Sequence, residues 1–113
     1  MIVSLSTGSL YTYGLERVFA LAAEAGFDAV EVLVDERWDT RQPHFLAECR
    51  EKHEMPIASL HVPFALRVDG WETDPICRLW RTVDLARALG VGVVVAHLPF
   101  RWHDLSILSS LFA

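Results

Sequence analysis

The segment Leu60-His61-Val62-Pro63-Phe64 returns thirty-six residues later as Ala96-His97-Leu98-Pro99-Phe100. Each copy closes an apolar run, Pro56-Ile57-Ala58-Ser59-Leu60 in the first case and Val91-Gly92-Val93-Val94-Val95-Ala96 in the second. A short β-branched run that meets a polar residue and then a proline reads as a buried strand that stops. Proline has no N–H to donate, so it ends the ladder. The chain therefore delivers a histidine twice at the C-terminal end of a buried strand. In α/β folds ligands and chemistry sit at that end.

The remaining segments place these two strands in a repeating order. Ile2 to Ser6 reads as a first strand, broken by Thr7-Gly8-Ser9. Leu15 to Ala25 carries Leu15, Val18, Phe19, Ala22 and Ala25 at helical spacing, and Gly26 follows where a left-handed residue ends a helix. Phe27 to Val34 is the second strand and Asp35 to Gln42 a polar loop. Pro43 opens a second helix that runs to about His53, with Phe45, Leu46 and Cys49 inward. After the third strand and a longer loop from Ala65 to Thr73, Asp74 caps a third helix that begins at Pro75. Its expected buried stripe is Ile76, Leu79, Trp80, Val83 and Ala86, and Gly90 ends it. Val91 to Ala96 is the fourth strand. The serines Ser106, Ser109 and Ser110 weaken a fourth helix in the tail from Arg101 to Ala113.

Strand centres fall about 27 to 35 residues apart, the period of a βα unit. The junction Ala22-Ala23-Glu24-Ala25-Gly26-Phe27 is echoed by Ala86-Arg87-Ala88-Leu89-Gly90-Val91. Such repetition implies an α/β fold with a parallel sheet and right-handed crossovers. It fits a small doubly wound sheet or the first half of a barrel that needs about 250 residues. Only the lone Gly8 follows the first strand, so a Gly-rich dinucleotide loop is unsupported.

Composition excludes several classes. The 113 residues are 52% hydrophobic and 22% charged, which excludes disorder. A net charge of −5 argues against a broad nucleic-acid footprint. No apolar run approaches the roughly 20 residues of a membrane span. Met1-Ile2-Val3-Ser4 lacks a basic leader region, and Cys49 and Cys77 fall on separate helices as reduced thiols. Together these readings lead us to expect a cytoplasmic protein.

Four stretches carry a resemblance: Ser4-Leu5-Ser6-Thr7-Gly8, Ala25-Gly26-Phe27-Asp28-Ala29-Val30-Glu31-Val32, Ser59-Leu60-His61-Val62-Pro63-Phe64 and Val94-Val95-Ala96-His97-Leu98-Pro99. They resemble the xylose isomerase-like TIM barrels, the superfamily of sugar phosphate isomerase/epimerases and endonuclease IV-like apurinic-site nucleases. The resemblance implies parallel βα repeats forming the first half, β1–β4, of a TIM barrel, with residues 1–113 as one partial domain and 103–113 as an atypical, truncated tail. It implies the N-terminal part of a divalent-metal-dependent (Mn, Zn or Mg) sugar or sugar-phosphate isomerase/epimerase. In that superfamily the acid/base glutamates and most metal ligands come from the fifth to eighth strands, so the half alone is expected to be inactive. The alternatives are an apurinic-site nuclease and a catalytically silent fragment, including a half barrel that dimerises through its open sheet edges.

Within this frame Glu31, His61 and His97 are candidate catalytic residues, and His61 with His97 a candidate metal pair. Two imidazoles hydrogen-bonded to neighbours, and a barrel-lining acid that orients a histidine, are the plainer alternatives. Trp38, Trp71 and Trp102 fall in loops after strands, accompanied by Arg37, Arg67 and Arg101. Aromatics beside arginines suit sugar stacking and phosphate clamping. Trp38, Arg67, Trp71, Arg101 and Trp102 are therefore the candidate substrate-binding residues.

Overall fold

The sheet is wound in one direction. In the computed structural model, which describes residues 1–64 and 67–97, four parallel strands lie in the order β1-β2-β3-β4. They are β1 (Ser4–Ser6), β2 (Ala29–Leu33), β3 (Ile57–His61) and β4 (Val94–Val95). Helices α1 (Leu15–Ala25), α2 (Pro43–Lys52) and α3 (Pro75–Leu89) form the crossovers. Each strand pairs with its successor, so the order never reverses. Right-handed crossovers in such a sheet put every helix on the same side.

That side is the core. Leu15, Val18, Phe19 and Ala22 of α1 pack with Val30 and Val32 of β2, Val34, Leu46 and Cys49 of α2, and Ile57 and Leu60 of β3. Met55 and, from α3, Leu85, Ala86 and Leu89 complete the cluster. Alternation turns the intervening residues of the strands to the other face. In β3 that alternation is reset, because Val30 pairs with Ile57 and Glu31 pairs with Ser59, leaving Ala58 as an extra residue. A bulge of this kind re-aims the side chains beyond it. Ile57 thus packs in the core, while Ser59 and His61 join Glu31 on the face opposite α1, α2 and α3.

The helix boundaries follow local chemistry. Asp74 Oδ1 accepts the N–H groups of Ile76 and Cys77 at 2.8 and 3.0 Å, as expected of an N-cap. Gly26 and Gly90 end α1 and α3 with φ of 84° and 69°, a left-handed backbone that side chains disfavour. The strands are shorter than the apolar runs suggest: β1 begins at Ser4 rather than Ile2, and β4 covers only Val94–Val95. Two short 3₁₀ helices, Thr7–Leu10 and Trp38–Arg41, follow β1 and β2.

The phase of α3 differs from the sequence expectation. Its buried residues are Arg78, Thr82, Leu85, Ala86 and Leu89, and Trp80 is 49% exposed. Only Ala86 is shared with the expected stripe. The physical reason is that the two polar residues are satisfied in place. Arg78 Nε donates to the Glu72 carbonyl at 2.7 Å, its Nη1 donates to the Pro63 carbonyl at 3.3 Å, and the Thr82 hydroxyl donates to the Arg78 carbonyl at 2.8 Å. A hydrogen-bonded polar group can be buried at little cost. In α1, Ala25 is likewise exposed rather than buried.

Candidate functional site

Among the described residues, the sheet face opposite the helices carries a polar row. Ser6, Glu31 and Ser59 are neighbours across β1, β2 and β3 through the pairs Ser6–Glu31 and Glu31–Ser59. The Ser59 hydroxyl donates to Glu31 Oε2 at 2.6 Å, a short charge-assisted contact. This bond fixes the carboxylate in the sheet and leaves Oε1 as its second acceptor.

One step further along β3 stands His61, buried, with Nδ1 2.7 Å from the carbonyl oxygen of Val62. A carbonyl only accepts, so Nδ1 carries the proton in this contact and Nε2 holds the lone pair in the neutral ring. His97 lies two residues beyond β4 and is exposed. The two imidazoles meet with ring centroids 4.9 Å apart. Phe64 stands against both, at 5.6 Å from His61 and 5.7 Å from His97, with its ring edge-on in each case. The repeated His-x-Pro-Phe element thus brings both histidines to the same rim. Phe64, 67% exposed, is a member of the cluster that residue chemistry alone did not single out.

A divalent metal needs more than this. Zinc sites take three or four protein ligands, and the harder ions take more. Among the described residues no group of three or more His, Cys, Asp or Glu could hold a metal ion. Within the described residues the His61–His97 pair is therefore short of a coordination shell.

The expected substrate-binding residues are dispersed. Trp38 opens the 3₁₀ helix after β2, 64% exposed, and lines a cleft with Tyr11, Tyr13 and Asp39 rather than with the histidines. Trp71 packs against the core, and the Arg81 guanidinium lies 4.9 Å over its ring. One face of that indole is thereby occupied. Arg67 is exposed. Arg101 and Trp102 lie outside the described residues, as does the tail 103–113.

Arg37, grouped with the loop arginines as a phosphate clamp, has no donor to spare. Its Nε and Nη2 donate to Asp35 at 3.0 and 2.6 Å. The remaining N–H groups reach the carbonyls of Leu10 and Tyr13 through Nη1 and of Thr7 through Nη2, at 3.3, 3.0 and 3.1 Å. All five guanidinium N–H groups are used. Arg37 holds the loop after β1 to the loop after β2. Asp39 adds to that junction, its Oδ2 accepting the Leu15 N–H at 2.7 Å at the start of α1.

Comparison with known proteins gives relatives but no function. No family model matches the chain, and no solved structure matches it. An uncharacterised protein of Mycobacterium leprae is 36% identical over 103 residues, covering 88% of this chain and 36% of its own length. An uncharacterised protein of Mycobacterium tuberculosis matches to the same extent. The chain thus spans about a third of the length of the curated relatives it matches. No helix among the described residues is long and apolar enough to cross a membrane.

Proposed function

We propose that this chain is the first half of a xylose isomerase-like TIM barrel, the N-terminal part of a cytoplasmic sugar or sugar-phosphate isomerase/epimerase. The observation that carries the reading is the polar face of the sheet: Glu31 held by Ser59, and His61 beside His97 at the C-terminal end of the strands. A sheet wound in one direction, with helices on one side, is the winding of a barrel wall. The face opposite the helices corresponds to a barrel interior, where a charged side chain needs a partner and Glu31 has one.

Isomerisation of a sugar moves a proton between neighbouring carbons. The groups required are an acceptor near the carbon and donors to the oxygens. His61 Nε2 is such an acceptor, its tautomer set by the Val62 carbonyl. Glu31 offers Oε1 to a substrate hydroxyl, and His97 supplies a second imidazole at the rim. In this reading the remaining groups belong to polypeptide beyond the four strands, and the chain alone is inactive.

The test is solvent deuterium incorporation into a panel of aldoses, ketoses and their phosphates. It is offered to this chain, to the full-length Mycobacterium tuberculosis relative, and to a chimera in which residues 1–97 of this chain replace the matching segment of that relative. We expect exchange by the relative and the chimera and none by the chain alone. His61→Ala in the chimera lowers kcat/KM about a hundred-fold, the scale of general acid–base catalysis. No exchange with any sugar, or incision of abasic DNA instead, overturns the reading.

A further inference from the structure

The sheet has two free edges among the described residues, because β1 pairs only with β2 and β4 only with β3. Natural edges are commonly guarded by lysine, proline or other charges. Met1-Ile2-Val3-Ser4 and Val91-Gly92-Val93-Val94-Val95-Ala96 carry none of these side chains, and Ile2 and Val93 are 72% and 53% exposed. Leu60 and Val62 donate to the carbonyls of Val93 and Val95, so alternation points the Val94 N–H and C=O away from β3. We propose that each free edge pairs with the opposite edge of a second copy of this chain, β4 beside β1 in parallel, closing an eight-stranded pseudo-barrel about a two-fold axis. This assembly rests on the barrel-wall reading of the sheet and not on isomerase activity.

The helices beside those edges select the occupant. The apolar stripe expected of α3 lies outside the core: Ile76, Leu79 and Val83 are half-buried and Trp80 is exposed. Such spacing marks a helix face that packs on another element. Arg81 of α3 donates to the Gly70 carbonyl, in the loop that Arg41, just before α2, also holds through Asp69. Leu79 and Val83 lie about half a turn around the helix from Arg81, on the flank away from α2. In α1, Glu16 turns toward α2 and takes Lys52, so Leu21 and Ala25 fall on the flank away from α2 by the same count. Leu21 is half-buried and Ala25 exposed. Parallel docking of α3 on α1 of the second copy sets Leu79 and Val83 against Leu21 and Ala25. It also brings charges of opposite sign together. Glu24 and Arg87 are both exposed and both stand in the last turn, just before Gly26 and Gly90. The contact of Arg87 with Asp84 in its own chain, 3.5 Å with both groups 72% exposed, is too weak to hold it. The two-fold axis repeats this seam, and it places His61 and His97 of both copies on one rim.

The experiment is sedimentation velocity of the chain over a series of concentrations at low salt. A reversible monomer–dimer equilibrium with no larger species is expected, because a closed ring of strands leaves no free edge. Glu24→Arg and Arg87→Glu, both at exposed positions, each weaken the dimer about ten-fold by setting like charges against each other at both seams. An equimolar mixture of the two variants regains the parent's affinity, as does a chain carrying both changes. A chain that stays monomeric at every concentration overturns the proposal, and so does an open-ended series of larger species. A dimer that neither reversal weakens, or that the mixture does not restore, pairs other surfaces and overturns it equally. Assembly is read without turnover, so failure here leaves the isomerase reading to the deuterium-exchange test, and the reverse also holds.

Discussion

The two halves of the rim use their polar groups in opposite ways. At β1 and β2 the loops are tied together: Arg37 donates every N–H, Asp35 and three carbonyls accept, and Asp39 caps α1. At β3 and β4 the polar groups stand side by side with few bonds: His61 makes one contact to its own neighbour, and His97 meets it ring to ring. Arginine chemistry in the first half is consumed by architecture. Imidazole chemistry in the second has few hydrogen-bond partners among the described residues. An arginine in a loop after a strand is therefore not by itself an anion site. The inventory of its donors decides.

This contrast can be broken by substitution. Arg37→Ala should have the largest effect, because it strips three loop carbonyls of their donor and leaves Asp35, 15% exposed, without its cation. Removing one partner of a buried pair costs about 3–5 kcal/mol, and this pair's partial exposure puts the loss near 3 kcal/mol in urea unfolding. A loss below about 0.5 kcal/mol would show the clamp to be idle. Ser59→Ala comes next. It leaves the half-buried Glu31 carboxylate without its hydroxyl donor and should cost about 1.5 kcal/mol, the lower end for a bond to a charged group.

His97→Ala should change stability by no more than about 0.5 kcal/mol, since the ring is exposed and its role lies in the cluster. A larger loss would move His97 from the open half to the built one. The smallest effect lies beneath both halves. Burial pushes the Cys49 thiol up to about 11, so it stays protonated at neutral pH and is a poor nucleophile. A raised folded-state value adds stability that is fully present below the unfolded thiol's value, about 8.5, and is lost as pH rises through about 11. Melting temperatures measured across that window should fall more for the parent than for Cys49→Ala.

The sequence disclosed the fold wherever one residue type had one physical use. Gly26, Gly90, Asp74 and Pro75 mark helix ends by conformations and caps that few other residues supply, and the structure uses all four in that way. The apolar runs located each strand, although their ends ran past the ladder. The phase of α3 was illegible because Arg78 and Thr82 are buried with their bonds satisfied by carbonyls, which an apolar stripe cannot register. The repeated His-x-Pro-Phe element gave the meeting of His61 and His97. The Arg37 clamp left no trace, because most of its acceptors are backbone carbonyls 24 to 30 residues away. The bulge at Ala58, which turns Ser59 toward Glu31, was equally silent.

The central claim is that two separate strands bring two histidines together on one rim. Nuclear Overhauser contacts between the ring protons of His61, Phe64 and His97 measure it most directly. Cross-peaks linking all three rings are the predicted result, from centroid separations of 4.9, 5.6 and 5.7 Å. A His97 ring with no cross-peak to His61 or Phe64 would contradict the account.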